Sequence, residues 1–306
     1  VALWGIWWEV RLLMPLYPML LAFALAYLCA RQWPAWALAG IFITVVATSA
    51  SDYSVLVPQQ QLRYQMHDAI VNGTAPAPQR YRVLVARTLD PVIKAAARRG
   101  DREQAFRRVY FAFHILALTA IVAGVYAYAR LWYSTEASLI AALIVASTLH
   151  LVLRMGEYWD FSPIPDLTWF APWSLLEPVF ASAGLIALYK RKWIALGSIV
   201  VLALANSAAA ALLAGLPPFT IAANLQHLPS TVINLGLFLG PALLLVMRGF
   251  RDSPLFAQRA LLAGVPLVIV VALFGDWWDV RLLTPLYPLL TPALLEGIFR
   301  PTPPVI

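Results

Sequence analysis

Apolar residues dominate this chain in long blocks, separated by shorter polar segments. Nine blocks run at about 12–30, 33–50, 109–129, 136–153, 174–189, 193–214, 229–247, 256–274 and 282–299. A helix of about 20 apolar residues matches the roughly 30 Å of bilayer hydrocarbon, where the backbone has no water to bond and must satisfy itself. The pattern predicts an all-α fold, a polytopic transmembrane helix bundle of about nine spans. The shorter blocks imply tilt, local thinning or burial within the bundle.

The longest polar interval, residues 51–108, has an internal pattern. Residues 59–71 read as a short polar helix, and Asn72-Gly73-Thr74-Ala75-Pro76-Ala77-Pro78 as a turn. Over 83–97 apolar positions recur with helical spacing among Arg87, Lys94, Arg98 and Arg99, which describes a basic amphipathic helix suited to the interface plane. An interfacial amphipathic segment is therefore expected at about 53–107. Residues 155–173 form a second loop, rich in aromatic residues and proline, with Glu157, Asp160 and Asp166. It is expected to pack on the membrane surface or over a cavity.

One stretch is written twice. Trp7–Leu21 and Trp277–Thr291 differ only at Glu9/Asp279, Met14/Thr284, Met19/Leu289 and Leu21/Thr291. Each copy sets a Trp pair, an acid and an arginine ahead of an apolar run with two prolines, the order expected at a membrane entry point. Two domain readings follow. In one, residues 1–32 close an earlier bundle and 33–306 form the main one, with outer loops 51–108 and 154–173. In the other, a single bundle has two similar entry helices.

Composition agrees with a membrane setting: of 306 residues 61% are hydrophobic and 12% charged, with a mean hydropathy of +0.75. Soluble domains carry about a quarter charged residues. The net charge of +7 arises in loops between apolar blocks, so anionic lipid headgroups or a phosphate-bearing lipid are the expected partners, not nucleic acid. Cys29 is the only cysteine, which excludes an intrachain disulfide.

If loops alternate sides, one side holds Arg31, Arg130, Lys190, Arg191, Lys192, Arg248, Arg251 and Arg300. The other holds Glu9, Glu157, Asp160, Asp166, Asp276 and Asp279 with three arginines. The positive-inside rule makes the first side cytoplasmic. The ten Lys/Arg of 51–108 then lie outside, against that trend, although long segments translocate with less regard to charge. With residue 1 outside, at least one earlier span is expected before Val1.

The chain has no GxxxxGK[ST], HExxH or GxSxG motif, so nucleotide hydrolysis and zinc chemistry have no sequence support. His114 and His150 fall in apolar blocks, as ligand or relay residues or as packing residues bonded to a backbone carbonyl. Asp52 ends an early block, and Asp160 and Asp166 lie in the next outer loop. A carboxylate there serves as general base, cation ligand or helix cap, and the residues alone leave all three open.

The layout resembles the GT-C superfamily of integral-membrane glycosyltransferases and related bacterial membrane proteins. The resemblance rests on Asp52 after an early span, a long first loop with interfacial helices and Arg80-Tyr81-Arg82-Val83-Leu84. It extends to the second-loop acids Asp160 and Asp166 and the late Asp279–Pro288 segment with Arg281. It implies a bacterial inner (plasma) membrane protein acting at the extracytoplasmic face on a polyprenyl-phosphate-linked sugar. In that reading Asp52 is the base, Asp166 an auxiliary acid, and Arg82 and Arg281 the phosphate contacts. Tyr81, Asp160 and Asp279 support them, and a divalent cation often accompanies the base. Two rivals stand beside it. A non-catalytic multi-span subunit of a larger membrane complex accounts for the many aromatic residues and the lack of a second acid beside Asp52. A lipid or solute transporter would suit inverted repeats, whereas these two copies run in the same direction.

Overall fold

A computed structural model describes residues 60–75, 83–98, 100–146, 176–214, 221–226, 228–229, 232, 240–274 and 285–299. Among these residues the fold is all-helical, and they divide between two compact units.

The first unit contains α1 (Gln60–Val71), α2 (Val83–Ala97), the start of α3 (Arg102–Ala129), α5 (Glu177–Tyr189) and α6 (Trp193–Ala214). Helix α1 ends in a turn where Gly73 takes φ +75°, a conformation open to glycine at little cost, while Thr74 and Ala75 bond back to the Ala69 carbonyl. Met66, Ile70, Ala75, Ala86, Ile93, Ala105, Phe106 and Tyr110 form one buried cluster joining α1, α2 and the first turns of α3. Phe106 and Tyr110 recur four residues apart on α3, and so present their rings to the same neighbours. Helices α5 and α6 pair as a hairpin whose exposed turn carries Lys190, Arg191 and Lys192. Arg191 adopts φ +53°, and the Lys192 amide donates to the Ala187 carbonyl, the geometry that closes a helix C-terminus.

The second unit contains the end of α3, α4 (Thr135–Ala146), α7 (Ile221–Gln226), α8 (Gly240–Gly249), a 3-10 turn (Phe250–Asp252), α9 (Leu255–Ala263), α10 (Val265–Phe274) and α11 (Tyr287–Phe299). Its centre is α4, where Ser138 to Leu143, Val145 and Ala146 are buried. Tyr128 and Trp132 stack edge to face at 5.1 Å, and the Tyr133 hydroxyl donates to the Pro292 carbonyl at 3.1 Å. The tightest junction joins α8 and α11. A Cβ on Gly249 would collide with the Ala293 carbonyl and the Gly297 amide, and one on Gly297 with the Leu245 carbonyl. The two backbones touch there because neither residue has a side chain, the small-residue crossing common between helices in lipid.

One described helix, Arg102–Ala129, is long and apolar enough to cross a membrane; at about 1.5 Å per residue its 28 residues exceed the hydrocarbon thickness. It contains the predicted 109–129 block and adds about two polar turns ahead of it. Thr135–Ala146, Pro178–Tyr189, Trp193–Leu202 and Leu255–Val270 are shorter apolar helices at other predicted blocks. The blocks at 12–30 and 33–50 lie outside the described residues, as does the 155–173 loop. Gly264 separates α9 from α10 within the predicted 256–274 block.

The glycine crossing yields a contrast. Gly249→Ala and Gly297→Ala are expected to destabilise the full chain in detergent by about 2 kcal/mol or more, because the obstacle is backbone and not a rotatable side chain. Gly240 has open space where a Cβ would stand, so Gly240→Ala is expected to leave stability unchanged or raise it. Thermal unfolding midpoints of the three variants check this.

Candidate functional site

Among the described residues, the strongest concentration of charge at low exposure lies where α1, α2 and α3 meet. Helix α1 contributes Tyr64, His67 and Asp68, which share a face by their three- and four-residue spacing. Helix α2 contributes Asp90 and Lys94, and α3 contributes Arg102 and Tyr110.

His67 is fully buried. Its ring lies 5.5 Å from Phe106 and 5.6 Å edge-on from Tyr110, and Nδ1 is 3.0 Å from the Tyr110 hydroxyl. Nε2 has no hydrogen-bond partner among the described residues and faces Asp90 Oδ1 at 3.6 Å. These neighbours favour one tautomer: Tyr110 donates to Nδ1, and the ring proton sits on Nε2 towards the carboxylate.

Asp90 is the buried acid of the cluster. Lys94 donates to it from one turn along α2, and Arg102 reaches it at 3.3 Å while bonding Asp68 at 2.9 Å. The Arg102 guanidinium also lies 5.7 Å over the Tyr64 ring, a cation–π contact. Burial pushes the Asp90 carboxyl up, but the Lys94 hydrogen bond and charge, with His67, outweigh it and hold the group below the usual carboxylate range. Burial also dominates at His67, and pushes its imidazole down against the opposing pull of Asp90 and Asp68. The imidazole is therefore neutral at pH 7.

Each acid of this cluster faces a cation from its own or a neighbouring helix, so its groups are occupied with one another. Its chemical capacity is positioning: it fixes α1 and α2 against the polar foot of α3. A separate open cavity of about 540 Å³ is lined by Asp101, Gln104, Arg107 and Arg108. There Asp101 caps the Gln104 amide at 2.9 Å and Glu103 pairs with Arg107 at 3.1 Å, which leaves the cavity near charge balance.

The residues singled out by sequence, Asp52, Tyr81, Arg82, Asp160, Asp166, Asp279 and Arg281, lie outside the described residues. Among the described residues no group of three or more His, Cys, Asp or Glu is placed to hold a metal ion, so no ligand set for a divalent cation is assigned. His114 Nδ1 lies 3.0 Å from the Tyr110 carbonyl, the backbone partner expected of a packing histidine. His67, Asp90, Arg102 and Tyr110 are not legible as a set in the sequence. One signal points to Asp90: it is the single acid on the stripe of α2 formed by Ala86, Leu89, Ile93 and Ala97.

The cluster makes stability depend on pH with a defined sign. A folded chain that binds the His67 proton more weakly than the unfolded chain is destabilised by acid. The His67 contribution is complete above about pH 6.5 and is lost as pH falls below it, whereas that of Asp90 persists until pH falls through the ordinary carboxylate range. The unfolding midpoint of the full chain is expected to drop between about pH 7.5 and 5.5. His67→Gln, which keeps an acceptor for Tyr110 but does not titrate, should remove most of that drop; an unchanged profile would exclude His67 as its source. Asp90→Asn is expected to cost about 1–2 kcal/mol, less than a fully buried pair because Lys94 and Arg102 retain access to water.

No protein-family model, curated protein or solved structure matches the chain.

Proposed function

We propose that the chain is a polytopic protein of the bacterial inner membrane that works as a GT-C-like glycosyltransferase, or a degenerate relative of one, on a lipid-linked sugar at the extracytoplasmic face. The observation that supports this is the ordered platform made by α1 and α2, pinned by the Asp90 cluster to the polar foot of the membrane-capable α3. The GT-C layout requires a first outer loop built of interfacial helices, and Tyr81 and Arg82 immediately precede α2 in the chain.

In this reading Asp52 accepts the proton of an acceptor hydroxyl, whose oxygen attacks the anomeric carbon of the donor sugar. The bond from that carbon to the phosphate oxygen breaks, and polyprenyl phosphate leaves with the electron pair. Arg82 and Arg281 neutralise the phosphate, with Asp166, Tyr81, Asp160 and Asp279 in supporting places. A second reading, a structural subunit of a larger membrane complex, is favoured by the apolar row on α6. There Ile194 is 89% and Val201 67% exposed, far beyond what a water-facing helix carries. Lipid covers that row in the first reading, and neighbouring subunits cover it in the second.

The test is consumption of labelled polyprenyl-phosphate sugars by the full chain in bilayers. Donor consumption that Asp52→Asn lowers at least about 100-fold, and that Arg82→Gln and Arg281→Gln weaken mainly through the donor KM, supports the enzyme. No consumption of any donor, with stable co-purification of another membrane subunit, supports the scaffold.

A further inference from the structure

Helix α2 has a second face, which the Asp90 cluster meets only through Lys94. Arg87, Lys94 and Arg98 stand at i, i+7 and i+11. At about 100° per residue these positions fall within roughly 40° of one line along the helix, over about 16 Å. All three are exposed, as are Pro91 and Ala95, which lie about 40° and 80° round the helix from Arg87. Lys94 is tied to Asp90, but Arg87 and Arg98 have no acidic partner among the described residues. The acids on these helices are engaged elsewhere: Asp68 by Arg102, Asp90 by Lys94 and Arg102, Glu103 by Arg107 and Asp101 by the Gln104 amide. Arg87 and Arg98 therefore leave positive charge without a described acid on this row, edged on one side by Pro91 and Ala95.

We propose that this face of α2 is a docking surface for anionic phospholipid, with Arg87, Lys94 and Arg98 contacting successive headgroup phosphates and Pro91 and Ala95 resting against the acyl boundary. A row of cations flanked by apolar residues, on a helix that meets the foot of a membrane-capable helix, complements a negatively charged leaflet and not a zwitterionic one. The surface rests on the membrane placement of α3 and does not require sugar transfer, so the donor-consumption assay and the lipid measurement succeed or fail separately. Each cation near such a leaflet contributes about fivefold in affinity.

The experiment is native mass spectrometry of the full chain released from detergent, titrated with phosphatidylglycerol or with phosphatidylcholine. Retention of phosphatidylglycerol over phosphatidylcholine is expected, weakening as salt rises. Arg87→Gln/Arg98→Gln should lower the apparent phosphatidylglycerol affinity by about 25-fold, while Arg87→Lys/Arg98→Lys retains most of it. These positions lie outside the Asp90 cluster, and an unchanged unfolding midpoint verifies that the glutamine variant is folded. Lys190→Gln/Arg191→Gln, at the other basic turn, should leave the affinity unchanged. Equal retention of both lipids, an unaltered affinity in Arg87→Gln/Arg98→Gln, or an equal loss in Lys190→Gln/Arg191→Gln overturns the proposal.

Discussion

The carboxylate of Asp90 sits where burial alone would neutralise it, and much of the first unit follows from how that is avoided. An unpaired charge taken out of water costs several kcal/mol. Asp90 remains ionised because Lys94 from its own helix and Arg102 from the next supply donors, and because His67 offers a ring proton from a third. Arg102 in turn carries Asp68, so two carboxylates on different helices share one guanidinium. Both bonds come from one nitrogen, Nη2, which donates to Asp68 and to Asp90. Apolar contacts among Ile70, Ile93 and Phe106 supply the bulk attraction, but such contacts tolerate sliding, and the shared guanidinium sets one register.

The course of the helices is largely legible in the sequence, and their polar business is not. The turn at Asn72-Gly73 and the helices over 59–71, 83–97 and 193–214 can be read to within a residue or so, because strong periodicity or unbroken apolarity marks them and Gly or Pro punctuates them. Helix α3 begins earlier than its apolar block because Asp101 caps it and Glu103 pairs with Arg107, signals that hydropathy does not weigh. The Asp90 cluster is hidden for a different reason. His67 and its partner Tyr110 are 43 residues apart, and no spacing rule joins side chains on three helices. The acids and arginines that the sequence favours stand out by loop position and resemblance, and they fall where the described residues do not reach.

The two units are held by unlike means. In the first, charged groups meet beneath aromatic rings; in the second, Gly249 and Gly297 bring backbones together with no polar side chain between them. In hydrocarbon the apolar effect gives no drive for helices to associate, so close van der Waals approach must provide it. Near a polar interface, water competes for every donor, and a buried network is worth more as a specifier of geometry than as a source of stability.

The bond from Tyr133 to the Pro292 carbonyl spans 159 residues of chain. At ribosomal rates of about 5–20 residues per second, Tyr133 waits roughly ten to thirty seconds for that partner to be made. Gly249, made 48 residues before Gly297, in turn faces no Gly297 for about 2–10 seconds. During synthesis, then, the second unit exists as an open form whose small-residue face is free to accept another helix, and α11 must arrive before a competitor does. Its folding is a matter of timing as well as of affinity.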